Sequence, residues 1–297
     1  MEIEKEMANF SKSDYPGLYQ SADTASIKSQ REYFLILSSY LISLILISSI
    51  SYISLPLKIN NFLLAFLFIL SLSIILWLIF RKSDESWYKG RAVAESVKTR
   101  TWRWMMKAEP YNDDTETVSG KLFVNDLKQI LKQNQELGEL IGDDSATSEP
   151  ITFKMKEIRG MDTQKRLEFY IDQRIKEQST WYKKKCLDYK KKSRNWFIIL
   201  VGLHLTAIFF LIYQVMVTDS FLPIEIITVG AGAVISWIQA KKYRQIAAAY
   251  SLAAHEITLI KYESAEIKDH MALSEFVINS ENAFSREHTQ WIAKKSH

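Results

Sequence analysis

Histidine, cysteine and carboxylate side chains are the usual carriers of catalysis and metal binding, and in this chain they are scattered. Among 297 residues there are five histidines and one cysteine, Cys186. The two His/Glu pairs, at 255–256 and 287–288, are adjacent in sequence, and adjacent residues on a helix point apart. The sequence has no P-loop, no glycine-rich dinucleotide turn and no Cys/His cluster with metal-ligand spacing. We therefore predict no enzyme, no cofactor and no metal site.

Polar side chains inside apolar sequence are stronger candidates. Four of them lie in apolar stretches: His204, Gln214, Glu225 and Ser236. Ionisable groups within a membrane are functional candidates by default, and a ring of carboxylates at a pore mouth attracts cations. The structural alternatives are a neutral histidine that hydrogen-bonds a neighbouring helix and an interfacial carboxylate reached by water. The structural alternative is favoured for His204, whereas both interpretations stay open for Glu225.

Two further patterns indicate packing and lipid contact. Gly232, Ser236 and Ala240 form a row of small residues four apart, which lets helix backbones approach closely. Seven basic residues form a run ahead of the second apolar block: Lys183, Lys184, Lys185, Lys190, Lys191, Lys192 and Arg194. Anionic lipid at the inner leaflet attracts such residues by about 1 kcal/mol each. Since the net charge is only +4, we predict membrane lipids and no nucleic acid as partners.

These residues lie in or beside two charge-poor blocks. Residues 33–80 contain one charged side chain, Lys58, and residues 196–240 contain two, Asp219 and Glu225. Because a helical span needs about 20 apolar residues, each block is long enough for two spans. Turn-forming residues near Pro56 and Pro223 divide the blocks. We predict four spans in two hairpins, at about 33–55, 62–80, 196–217 and 222–240.

Basic residues flank the open end of each hairpin, where the chain enters and leaves it. The turns at the other end contain only two charged residues, Lys58 and Asp219. By the positive-inside rule, both termini and the long middle segment are predicted to be cytoplasmic. Residues 236–267 contain no glycine or proline, so we expect the fourth span to continue about 25 residues into the cytoplasm and to transmit signals. Other helices are predicted at about 87–106, 121–140, 163–194 and 272–294.

A polar stretch rich in helix breakers predicts a linker at 142–160. It divides the chain into halves of one plan, 1–141 and 161–297, each a two-span hairpin with cytoplasmic helices. The predicted fold class is an all-α membrane protein with two transmembrane helical hairpins and long cytoplasmic helical extensions. The halves share a pattern rather than an identical sequence.

Several short motifs, in this hairpin order, resemble the SLATT family, the SMODS- and SLOG-associating two-transmembrane effector domains of bacteria. They are residues 87–96 (WYKGRAVAES), 170–174 (YIDQR) with 178–182 (QSTWY), and 281–291 (ENAFSREHTQW). The resemblance implies a tandem effector of the bacterial inner membrane, in an antiphage or conflict system. Such a protein is expected to be a gated pore or membrane-depolarising protein. A cytoplasmic signalling partner or a nucleotide second messenger is the expected trigger.

Four helices of this apolarity enclose little water, so a conducting path would need several subunits, and we expect a homo-oligomer. Two alternatives stay open at this point. One is a non-conducting membrane scaffold that recruits cytoplasmic partners. The other is a small ion channel or transporter unrelated to defence.

Overall fold

The computed structural model describes residues 9–135, 138, 149–217 and 222–293, the last eight of these by backbone alone. Throughout these residues the chain is helical, with no strand. Ten α-helices follow in chain order: α1 (Gly17–Ile50), α2 (Leu57–Arg81), α3 (Ser83–Met105), α4 (Glu116–Gln133), α5 (Phe153–Arg159), α6 (Thr163–Tyr170), α7 (Glu177–Met216), α8 (Ile224–Lys241), α9 (Tyr243–Glu263) and α10 (His270–Ala293). A π-helical segment, Ile171–Lys176, joins α6 to α7.

Some sequence predictions fall outside this description. They concern linker residues 142–148, Asp219 in the second turn, Leu140 and Lys294 at the predicted helix ends, and the side chains of Glu287 and His288. The remainder of the predicted linker includes the helix α5, whose start is capped by the Thr152 side chain.

The helices form two compact units. The polar unit comprises the described residues of Met1–Ser29, Asp84–Lys184 and Ala249–His297, and the apolar unit comprises those of Gln30–Ser83 and Lys185–Ala248. Each unit takes segments from both halves of the sequence. The proposed boundaries of the halves, 1–141 and 161–297, therefore stay a prediction about the repeat.

Four helical stretches are long and apolar enough to cross a membrane, as predicted. They correspond to α1, α2, α7 and α8. In each, 28% or less of the apolar window is buried inside the chain. Phe80 on α2 and Val215 on α7 illustrate this, with exposed fractions of 78% and 82%. Helices with apolar surfaces all round are expected where lipid replaces water.

The expectation of one unbroken fourth helix is wrong. α8 ends at Lys241, Lys242 has the left-handed backbone angle φ 47°, and α9 begins at Tyr243. Lys82 separates α2 from α3 in the same way, with φ 48°. The left-handed region is unfavourable for lysine, so tertiary packing overrides the local helix propensity of a stretch free of glycine and proline.

The two breaks reveal the repeat in three dimensions, because Lys82 and Lys242 are 160 residues apart. At four matched positions on α3 and α9 with the same separation, both residues are buried: Trp87 and Ala247, Val93 and Ala253, Ala94 and Ala254, and Val97 and Ile257. The repeat of pattern inferred from the sequence is thus a repeat of burial and backbone geometry.

Within the polar unit, α1 and α3 meet at Gly90. A Cβ atom at this position would lie 3.1 Å from the carbonyl oxygen of Ala22 and 3.2 Å from the amide nitrogen of Ser26. The Ser26 hydroxyl also donates to the carbonyl of Trp87, at 3.1 Å. At the matching position of the second half, Tyr250 packs on Trp181 and Tyr182. The close α1–α3 contact therefore leaves little room for a side chain at position 90, in contrast to position 250.

We predict that Gly90→Leu destabilises the protein by about 2 kcal/mol or more, because backbone atoms of α1 cannot give way to the added side chain. The matched control is Gly202→Leu on α7, where an added Cβ meets no atom within 4 Å. Thermal unfolding of the purified protein in mild detergent measures both. Equal melting temperatures for the two variants would contradict the close contact at Gly90.

Candidate functional site

Glu281 on α10 is a carboxylate with no exposed surface, in the interior of the polar unit. Its oxygen Oε1 accepts from Arg174 Nε at 2.8 Å and from the Tyr170 hydroxyl at 2.9 Å. Its oxygen Oε2 accepts from Arg174 Nη2 at 2.7 Å and from the Thr99 hydroxyl at 3.0 Å. A buried charge is tolerated only when it is paired and hydrogen-bonded, and both conditions hold here. We call Arg174 and Glu281 the buried pair.

Arg174 is 1% exposed and lies among aromatic rings. Its guanidinium carbon is 4.8 Å from the ring centre of Phe284 and 6.0 Å from that of Trp102. Trp102 in turn donates from Nε1 to the hydroxyl of Tyr15, at 2.9 Å. A desolvated cation over an aromatic ring gains about 2 kcal/mol. The buried pair therefore joins α3, α10 and the segment just before α1 through one contiguous network.

Arg174 and the two phenols near it keep one protonation state near neutral pH. Burial works to lower the pKa of Arg174, but the charge and hydrogen bonds of Glu281 outweigh burial and raise that pKa above its ordinary value. Burial, assisted by Glu281, raises the pKa of the Tyr170 hydroxyl, and burial raises the pKa of the Tyr15 hydroxyl. The arginine stays charged and both phenols stay neutral donors.

Arg174 projects from the π-helical segment Ile171–Lys176. In this segment Arg174 and Ile175 are both buried, whereas Asp172 and Lys176 are exposed and form a surface ion pair at 3.0 Å. Single π turns are rare and occur frequently at functional sites. The segment ends at α7, one continuous helix from Glu177 to Met216 that contributes residues to both units.

Two other buried arginines have a structural role at the end of α3. Arg159 donates to the carbonyls of Trp104 and Tyr111, and Arg166 donates to the carbonyl of Met106 at 2.6 Å. The last carbonyls of a helix lack intrahelical partners and carry partial negative charge. Burial lowers the pKa of Arg159 to about 10, which leaves it protonated at neutral pH.

The polar residues predicted within the spans lie on α7 and α8. His204 is exposed, and its Nδ1 lies 2.8 Å from the carbonyl of Leu200 on its own helix. Ser236 donates to the carbonyl of Gly232, also on its own helix, at 2.9 Å. Gln214 and Glu225 are exposed. A role for these four residues in a pore or between helices stays a prediction.

The predicted packing row of Gly232, Ser236 and Ala240 lies on a more exposed side of α8 than its neighbours Ala231 and Ala233, which are buried. A Cβ atom at Gly232 would meet no atom within 4 Å. The row is thus not used for close packing within one chain, and packing between chains stays a prediction.

The predicted lipid-contacting run lies on α7, and six of its seven members are exposed: Lys183, Lys184, Lys190, Lys191, Lys192 and Arg194. Lys192 pairs with Asp188 at 2.8 Å. Lys185 is partly buried. Their contact with lipid stays a prediction.

Sequence reasoning missed the buried pair, although both members belong to motifs quoted above. Tyr170 and Arg174 lie in YIDQR, and Glu281 and Phe284 lie in ENAFSREHTQW. The partners are 107 residues apart, and no local periodicity links them. The available signal was a charged residue on an otherwise apolar helix face, since Glu281 follows Val277 and precedes Phe284, both buried.

We predict that Arg174→Met or Glu281→Met alone destabilises the protein by about 3–5 kcal/mol, because each leaves an unpaired buried charge. The double variant is expected to cost clearly less than the sum of the two. The control is Lys176→Met, which removes an exposed ion pair from the same segment and is expected to cost about 0.5 kcal/mol or less. Chemical denaturation followed by helical circular dichroism measures all four variants. Strictly additive single effects would contradict direct pairing.

Two family models match the chain in succession. The model described as SMODS and SLOG-associating 2TM effector domain 3 matches residues 16–167, and the one described as SMODS and SLOG-associating 2TM effector domain 1 matches residues 170–291. No curated protein and no solved structure matched. The first model alone covers half of the chain, and the junction between the two lies just before the π-helical segment. The chain therefore belongs to the SLATT family of two-transmembrane effector domains and carries two such domains in tandem.

Proposed function

We propose that this protein is a gated membrane effector of a bacterial conflict system. A cytoplasmic signal acts on the polar unit, and an oligomer of the protein then perforates or depolarises the inner membrane. The observation that supports this proposal is the buried pair. It ties α3 and α10 to the π-helical segment from which α7 continues as a helix of membrane length.

The energy of the buried pair suits a switch between two states. A buried ion pair that loses one partner costs the protein about 3–5 kcal/mol, because the remaining charge is unpaired. To shift a two-state equilibrium from 1:99 to 99:1, a ligand must favour one state by about 5.5 kcal/mol. A partner protein or nucleotide that binds the polar unit better with α10 displaced would supply such a bias. The cost of breaking the pair keeps the protein closed in its absence.

In this proposal α7, rather than α8 and α9, transmits the change. α7 is unbroken between Glu177 and Met216, whereas the fourth span is separated from α9 at Lys242. In addition, Arg174 lies three residues before α7 begins. Release of Arg174 would free the segment that fixes the start of that helix.

Conduction requires several copies, because four apolar helices enclose little water. The row of Gly232, Ser236 and Ala240 offers a surface for close approach between copies. His204 and Glu225 on neighbouring helices would then face the path between subunits. Both termini and the polar unit lie in the cytoplasm in this proposal, and the basic run on α7 contacts the inner leaflet. No cofactor, catalytic residue or nucleic acid is involved.

The second candidate is a non-conducting membrane scaffold that recruits cytoplasmic partners. It is favoured by the hydrogen bonds of His204 and Ser236, which are both made to their own helices. In one chain, these groups therefore form no polar path across the membrane. Membrane potential distinguishes this candidate from the pore.

We predict that Glu281→Gln raises the ion flux of reconstituted liposomes at least about tenfold without any partner. The amide keeps the size of the side chain but removes the negative charge that holds Arg174, and each 1.4 kcal/mol lost by the closed state shifts the population tenfold. Lys176→Met is the matched control and is expected to leave the flux at the wild-type level. A voltage-sensitive dye reports the flux. If Glu281→Gln produced no flux above that of the wild type, the pore would be excluded and the scaffold favoured.

A further inference from the structure

The two hairpins of the apolar unit carry different charges at one matched pair of positions. At the end of α2, Arg81 Nε lies 3.0 Å from Oε1 of Glu32 on α1. The positions 160 residues later are Lys241 at the end of α8 and Lys192 on α7. A carboxylate in the first hairpin is thus replaced by a second cation in the other, and Lys241 lacks the counter-charge that Arg81 has.

No carboxylate pairs with Lys241 among the residues that the structure describes. The charge that acts on it is the like charge of Lys192, which is itself paired with Asp188. Lys241 is half-buried, and its Nζ lies 3.1 Å from the ring centre of Phe34 and 4.8 Å from that of Trp237. The aromatic rings stabilise this partly desolvated cation, but it has no anion to neutralise its charge.

A cleft opens beside Lys241. Its lining includes Arg31, Phe34 and Leu35 on α1, Tyr189 on α7 and Lys241 on α8. Arg31 is exposed and has no ion pair within the described part of the chain, and Leu35 is 66% exposed. Glu32, the carboxylate next to Arg31 in sequence, forms an ion pair with Arg81. The cleft therefore combines two uncompensated cations with an apolar wall.

We propose that this cleft binds one anionic phospholipid, with its phosphate between Lys241 and Arg31 and an acyl chain along Leu35. The phosphate supplies the second hairpin with the negative charge that Glu32 supplies to the first. A lipid fits better than a soluble phosphate, because the cleft lies at the ends of helices of membrane length and one wall is apolar. The site is distinct from the exposed basic run on α7, where attraction is diffuse. It does not depend on whether the protein conducts ions.

The test uses the full-length protein in mild detergent, titrated with phosphatidylglycerol or phosphatidylcholine and analysed by native mass spectrometry. Lys241→Gln removes one cation of the cleft. Lys192→Glu introduces the carboxylate that the first hairpin has at this position, so Lys241 acquires a partner within the protein. Lys191→Gln is the control, because it removes one positive charge from the exposed basic run, outside the cleft.

We expect the affinity for the first bound phosphatidylglycerol to be about fivefold lower in Lys241→Gln and in Lys192→Glu. This is the factor that one basic residue contributes at a lipid surface. Lys191→Gln is expected to bind as the wild type, phosphatidylcholine is expected not to compete, and millimolar inorganic phosphate is expected not to displace the lipid. Equal loss in all three variants would show diffuse surface attraction and overturn the proposal. Displacement by inorganic phosphate would overturn it in favour of a soluble anion, and unchanged binding by Lys241→Gln would overturn it outright.

Discussion

The architecture of the polar unit depends on the solution to one electrostatic problem, a carboxylate with no access to water. Its oxygens accept hydrogen bonds from two guanidinium nitrogens of Arg174 and from two hydroxyl groups. This carboxylate is Glu281. These donors come from α3, α6 and the π-helical segment, so the position of α10 is set relative to all three. A buried pair is weak evidence for stability, since apolar residues can replace it without loss. We propose that its value lies in specificity, because an arrangement that separates the two partners would leave a buried charge unpaired.

The two tandem domains share a common plan but differ in several contacts. The two domains share left-handed lysines at the ends of their second spans and matched buried positions on α3 and α9. They differ where charge matters: Glu32 neutralises Arg81 in the first domain, and Lys192 stands at the matched place in the second. The polar unit likewise contains one buried pair, and it uses residues of the second domain together with Thr99 of the first. The Glu32–Arg81 contact thus belongs to one domain, and the matched positions of the other place two cations there.

Much of the fold could be predicted from the sequence because its signals are local. Depletion of charge over residues 33–80 and 196–240 marks four spans, since a charged side chain is costly in lipid wherever it lies. The break at Lys242 could not be predicted, because no breaker residue marks it and tertiary packing imposes the left-handed angle. The buried pair was missed for a related reason: its members are distant in sequence, and each alone resembles an ordinary surface charge. The π-helical geometry that aims Arg174 inward has no local signature here.

We propose that the buried pair holds the polar unit in its closed arrangement. Hydrogen–deuterium exchange, compared between the wild type and Glu281→Gln in the same lipid, tests it most directly. The account predicts faster amide exchange in Ile171–Lys176 and in α10 of the variant, with α2 unchanged as the internal reference. Identical exchange in those two segments would show that the pair does not control the polar unit, and would contradict the account.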